Sequence, residues 1–220
     1  MLLSLAALLA QLRSDLDDTA TPYLWSDDEL TQWIFDSESM LVRLTGGIAD
    51  STSDMTRISI IAGTEWYAVD PRIMKIRKAI RKDTGRPIDV VNPETAWDRG
   101  VRYDGATASL QLLIQGLEDG KLRAYPVPAT AVDIELQVLR LPLTTGQAIT
   151  PTSALEVPAQ HHLHLLAWAK SRAYLKQDAE TIDKTKAAEF EAEFRNYCKE
   201  VQGELSRQRR TTGTTTYGGI

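Results

Sequence analysis

Cysteine occurs once in these 220 residues, histidine and phenylalanine three times each, and no apolar run approaches the length that spans a bilayer. One cysteine excludes an intramolecular disulfide framework, and the place of Cys198 beside Tyr197 on a helical pattern marks a packed thiol, not a nucleophile. The chain has no G-x-S-x-G, no H-E-x-x-H, no G-x-x-x-x-G-K-[ST] and no G-x-G-x-x-G, so hydrolase, nucleotide-triphosphatase and dinucleotide chemistry have no signature in it. Nothing implies a catalytic residue, a cofactor or a metal. His161, His162 and His164 crowd together, but on a helix His162 points away from the other two. No Cys, Asp or Glu lies one turn away to complete a metal site, so a solvated or interfacial first turn is expected there. The opening MLLSLAALLA lacks the basic start of a signal peptide and runs on into a helical pattern.

What is present is organised around a helical hairpin between Val157 and Ser206. Leu163, Leu166, Ala167, Lys170, Ala173, Tyr174 and Gln177 recur at three- and four-residue steps behind Pro158, which suits a first helical turn. Asp178 is read as the cap of a second helix with a seam of Phe190, Phe194, Tyr197, Val201 and Leu205. The partners of this hairpin are expected at the other end of the chain. Residues 3–18 predict a helix on Leu5, Leu9, Leu12 and Leu16, ending in Asp15, Asp17 and Asp18, three charges that oppose the dipole at a helix C-terminus and require another group to hold them. Ser26 and Glu29 form an S-x-x-E capping box, with Asp27 and Asp28 in the first turn and Trp25 and Leu30 as a hydrophobic staple. That helix, with Leu30, Trp33, Ile34, Leu41 and Leu44 inward, should end at Gly46-Gly47.

From Arg57 the period becomes alternating. Residues 57–61 and 65–69 predict a hairpin turning at Ala62-Gly63-Thr64. Residues 72–82 combine helical spacing at Ile73, Ile76 and Ile80 with strand neighbours, and a strand is favoured. Further strands are predicted at 88–91, 109–114, 121–125 and 132–139, with one helical turn at Asn92–Trp97. The fold class is therefore α+β: a helical bundle built from both chain ends (1–56 and 146–206), an inserted small antiparallel β-sandwich (57–145) and a flexible C-terminal tail (207–220), rich in Gly and Thr.

Charge is unevenly placed. Residues 1–56 carry 2 basic and 10 acidic side chains, and residues 207–220 carry 3 basic and none acidic, in a chain of net charge −5. Asp27, Asp28 and Glu29 are accounted for by capping rather than by acid–base chemistry. The one basic concentration within the folded part is Arg72, Lys75, Arg77, Lys78, Arg81, Lys82 and Arg86. It could serve a nucleic-acid-binding module, but it has no interleaved aromatic for stacking, and a surface strand facing an acidic neighbour accounts for it better. In the tail, Arg207, Arg209, Arg210, Tyr217 and Ile220 combine steering charge with an aromatic and an apolar end to bury.

The leucine-rich first helix, the Leu24–Leu30 box, Gly63–Asp70 with its Glu-Trp-Tyr centre, and His162–Ala169 with Lys176–Glu180 together resemble the head-to-tail adaptor (connector) proteins of tailed bacteriophages. The likeness runs from Leu5 to about Tyr197 and is one of pattern, without a single diagnostic motif. It implies a non-enzymatic virion protein, made in the host cytoplasm and placed at the head–tail interface. It further implies a twelvefold ring of the chain under the portal protein, held by the C-terminal tail and followed by a tail or nozzle protein. Double-stranded DNA would pass through without sequence-specific binding, no membrane is involved, and twelve copies at −5 each would repel phosphates from the channel wall.

Overall fold

The computed structural model describes residues 4–150, 153–176 and 182–209. In chain order the elements are α1 (Leu5–Asp15), α2 (Asp27–Thr45), β1 (Ile48–Asp50), β2 (Arg57–Ile60), β3 (Trp66–Ala68), β4 (Ile73–Arg81), β5 (Pro87–Val91), α3 (Pro93–Asp98), β6 (Thr107–Ala108), β7 (Leu112–Gln115), β8 (Lys121–Tyr125), β9 (Val127–Pro128), β10 (Val132–Arg140), α4 (His162–Leu175) and α5 (Lys184–Arg209). They divide into two compact units, residues 1–46 with 142–220, and residues 47–141.

The first unit is helical. Leu8, Leu12 and Leu16 of α1 and its C-cap pack with Trp25, Leu30 and Ile34 and with Leu166, Ala169 and Ala173 of α4, so helices from the two ends of the chain share one apolar core. Ser4 caps α1 by accepting from the Ala7 N–H. At α2 the Ser26 hydroxyl accepts from the Glu29 N–H while the Glu29 carboxylate accepts from the Ser26 N–H, and Gly46 at φ +90° closes the helix in the left-handed region. Glu38 is fully buried on α2 and accepts from the backbone N–H groups of Glu156 and Val157, fastening the returning chain, and Ser37 donates to the Leu165 carbonyl.

What holds the carboxylate-rich end of α1 is Arg13. Its guanidinium, 9% exposed, pairs with Asp18 (2.5 Å) and Asp27 (2.5 Å), donates to the Trp25 carbonyl (2.9 Å) and lies 3.8 Å from the centre of the Tyr23 ring. Asp18 also accepts from the Leu24 N–H, and Lys170 reaches Asp15 at 3.1 Å. A charge placed badly for α1 thus becomes the joint between α1 and α2.

The α4–α5 hairpin departs from the sequence reading in three respects. Leu163 is 53% exposed, whereas Leu165 through Ala169 are buried without interruption, so the centre of α4 is enclosed by several neighbours. Gln177 and Asp178 lie outside the described residues, and the carboxylate that caps α5 is Asp183, accepting from the Thr185 and Lys186 N–H groups. Helix α5 also runs on to Arg209, past the boundary expected at Ser206.

The second unit was expected to be a small antiparallel sandwich. Eight of its strands instead join in one sheet, β1-β10-β4-β5-β7-β8-β3 with β2 also beside β10, that curls into a half-barrel and contains a parallel step between β5 and β7, while β6 and β9 pair separately in parallel. The predicted 57–69 hairpin does not form. β2 pairs with β10 and β3 with β8, because the Gly63 N–H donates to the Pro128 carbonyl and the Tyr67 hydroxyl occupies the turn, accepting from Ile61 and donating to Thr64. The chain enters this unit on β1 and leaves on β10, which are antiparallel neighbours through Ile48 opposite Arg140.

Residues 73–81 are the favoured strand, and their helix-like spacing has a structural cause. Register shifts opposite Gln137/Val138 and Leu139/Arg140 leave Arg77 and Met74 as extra residues, so Ile73, Ile76 and Ala79 turn inward at steps of three instead of two.

Replacing Arg13 with Ala leaves Asp18 buried without its counter-charge. Destabilisation of about 3–5 kcal/mol by urea unfolding is expected, partly recovered by adding Asp18→Asn. Asp50, at the closure of the second unit, offers a pH test. Burial alone would raise its pKa, but the Thr52 N–H, the Arg140 guanidinium and Ser53 outweigh burial and hold it well below the ordinary value of 3.8. Its stabilising contribution is complete above about pH 4 and is lost as pH falls below that value, so Asp50→Asn should flatten the acid limb of a stability–pH curve.

Candidate assembly surfaces

Three surfaces arise from these elements. The first is the hairpin face where α5, 26 residues and about 39 Å long, lies along α4. Ring contacts knit the two helices: Trp168 with Phe194 at 5.3 Å, Tyr174 stacked on Phe190 at 5.9 Å and His164 stacked on Tyr197 at 3.7 Å. The first turn is not solvated throughout, since His161 and His162 are buried. His161 Nδ1 is 2.7 Å from the Tyr197 hydroxyl and His162 Nε2 is 3.0 Å from the Val157 carbonyl. Burial pushes the His161 pKa down and that of Tyr197 up, the latter helped by Glu204. Among the described residues no His, Cys, Asp and Glu gather in a group able to hold a metal ion. Cys198 is buried and its thiol is pushed up to about 11 by that burial.

The end of α5 is the second surface. Arg207 and Arg209 stand in its last turn, exposed, with the Arg209 guanidinium beside Gly46 at the C-terminus of α2, where a cation opposes the negative end of the helix dipole. Arg210, Tyr217 and Ile220 lie outside the described residues. Of the capping pair, Glu29 is additionally held at 2.7 Å by Lys176, and this ammonium, with Ser26, lowers its pKa.

The third surface is the outer side of β4. Arg72 is neutralised by Asp70 (2.7 Å) and Arg81 by Asp83 (2.8 Å), while Lys75, Arg77 and Lys78 between them are exposed and form no ion pair with any described residue. Lys82 and Arg86 follow in the turn toward β5. The basic concentration is therefore a strand, with its ends locally compensated and its middle uncompensated.

One further feature was not legible beforehand. A cleft of about 560 Å³ lies in the helical unit between α2, the loop at 144–149 and α4, lined among others by Phe35, Met40, Arg43, Trp168 and Arg172. Arg172 stacks over Trp168 at 4.2 Å and pairs with Glu191. Only the packing of residues far apart in sequence creates it. None of the surfaces combines a free nucleophile with a base and an oxyanion donor, and Asp27, Asp28 and Glu29 are occupied with Arg13, the helix start and Lys176.

The family model described as SU10 adaptor protein matches residues 3–217, nearly the whole chain. The chain belongs to the SU10 adaptor protein family, a family of phage head-to-tail adaptors. No curated protein matches it. The adaptor is accordingly a component of the phage virion, and no helix among its described residues is long and apolar enough to cross a membrane. Membership of the family implies interaction with capsid and tail components of the phage.

The buried thiol gives a direct check on the packing of α5 in the adaptor. With its pKa raised to about 11, Cys198 should react with a maleimide at pH 7.5 roughly a hundredfold more slowly in the folded protein than after unfolding in guanidinium.

Proposed function

We propose that the adaptor acts as a ring of identical subunits, twelve by the pattern of its family, seated beneath the portal. There it joins capsid to tail, contacts the next tail component and lines the channel through which double-stranded DNA leaves. Family membership over residues 3–217 carries this reading. Two features support it. The first 56 residues hold 10 acidic against 2 basic side chains, which suits a wall that lets phosphates slide instead of binding them. The last turn of α5 presents Arg207, followed in sequence by Arg210, Tyr217 and Ile220, a set of groups fitted to grip a portal surface by charge and by an apolar end.

Arg209 is placed beside Gly46, so the anchor is tested from residue 210 onward without disturbing α2. Deletion of residues 210–220 should leave a folded protein, judged by an unchanged melting temperature, that no longer attaches to portal-bearing capsids. Attachment by the truncated chain would refute the anchor. The full chain alone, weighed by light scattering at micromolar concentration, should be monomeric or weakly associated, with rings appearing only on the portal. A stable ring in free solution would overturn that order of assembly.

A further inference from the structure

We propose that the outer face of β4, with Lys75, Arg77 and Lys78, receives a second copy of this chain through the acidic corner formed where α1 ends and α2 begins. This rests on the ring reading above and specifies which surfaces close the ring.

The basic face is built by the two register shifts of β4. They give two adjacent outward residues twice, Met74 with Lys75 and Arg77 with Lys78, where an unbroken strand would show one. The chain neutralises Arg72 and Arg81 at the strand ends within two residues and supplies no partner for the three cations between them among the described residues. Met74 is 39% exposed, and Lys75 sits opposite Leu139, which is half-buried, so the patch carries apolar surface that a protein can cover and a phosphate backbone cannot. Asp133 and Glu135 stand on the same outward side of β10, toward its Arg81 end, so the cations form a short patch and not the continuous track that a phosphate backbone follows.

The complementary surface is present on the same chain, as a ring contact between unlike faces requires. Arg13 gathers Asp18 and Asp27 to one guanidinium, which places the carboxylates around both at a single corner. Six carboxylates, Asp15, Asp17, Asp18, Asp27, Asp28 and Glu29, face three cations there, Arg13, Lys170 and Lys176. Asp17 and Asp28 are exposed and have no ion pair with a described residue, and Asp27, though it accepts twice from Arg13, is 63% exposed. Among the described residues the corner therefore carries three more carboxylates than cations, equal in number to the three cations of β4 that have no ion pair with a described residue.

The test uses portal-bearing capsids loaded with an equal mixture of ordinary and ¹⁵N-labelled full-length chain and treated with a zero-length carbodiimide cross-linker. Mixed-isotope cross-links from Lys75 or Lys78 to Asp17, Asp27 or Asp28 are expected. Lys75→Glu with Lys78→Glu should lower loading at least tenfold, as should Asp17→Lys with Asp28→Lys. A chain carrying all four substitutions should recover most of the loading, which a merely misfolded variant would not. Mixed-isotope links confined to other residues would overturn this contact while leaving the ring intact. The absence of any mixed-isotope link would overturn the ring itself, and this contact with it. Unchanged loading by Lys75→Glu/Lys78→Glu, together with loss of a salt-dependent duplex DNA shift, would assign the face to nucleic acid instead.

Discussion

Burial of Leu8, Leu12 and Leu16 against Leu166, Ala169 and Ala173 is the constraint on which the fold depends. Neither group can form an enclosed core alone: α1 is 11 residues long and would be marginal in water, and α4 presents Leu165 through Ala169 with no polar interruption. Each supplies the apolar surface the other lacks, so the chain ends must meet and everything from Gly47 to Leu141 must leave and return at one place. The second unit meets that demand through its first and last strands, β1 and β10, which are hydrogen-bonded neighbours fixed by the Asp50–Arg140 pair. An insertion whose ends are adjacent strands imposes little cost on its host.

Arg13 does for the helical joint what Asp50 and Arg140 do for the insertion. A guanidinium that satisfies two carboxylates and a carbonyl at once ties Asp18, just beyond the end of α1, to Asp27 and the Trp25 carbonyl at the start of α2. Removing water from Asp18 is costly by itself, and the bonds from Arg13 and from the Leu24 N–H offset that cost. The same gathering of charge leaves Asp17 and Asp28 exposed, with no ion pair to a described residue.

The sequence disclosed what is decided within a few residues and withheld what depends on distant ones. The capping box at Ser26 and Glu29, the turn at Asn92-Pro93 and the alternation of Ile134, Leu136 and Val138 are local contracts between side chains and backbone, and each is legible in its own segment. The β2–β3 hairpin failed because Gly63 offers its N–H to Pro128, a partner that no local rule could name. β4 resembled a helix because two extra residues stretch its inward period from two to three, and a bulge is defined by its partner strand. The histidines left a solvated and an interfacial turn open because their spacing is local, whereas Tyr197, which touches His161 and His164, arrives on α5. Of the candidate site, the basic strand and the arginines of the tail were visible as composition. Which cations stay uncompensated was not, since that depends on Asp70 and Asp83 pairing two residues away while Lys75, Arg77 and Lys78 form no ion pair with a described residue.

That last distinction separates two roles for charge on one surface. A short-range pair such as Asp70–Arg72, at the surface and formed by neighbours in the chain, contributes little to stability and presents no net field. An uncompensated group of three contributes nothing to the fold and attracts whatever bears the opposite sign, with an effect mainly on encounter and register. Lasting affinity has to come from surface removed from water, and on this face that means Met74 of β4 and Leu139 of the neighbouring β10. A contact of this construction chooses its partner by charge and keeps it by a small apolar area. In the ring proposed above, such a contact would draw its strength from repetition more than from any single pair of subunits, since each subunit would be held at two faces and release would require both to open.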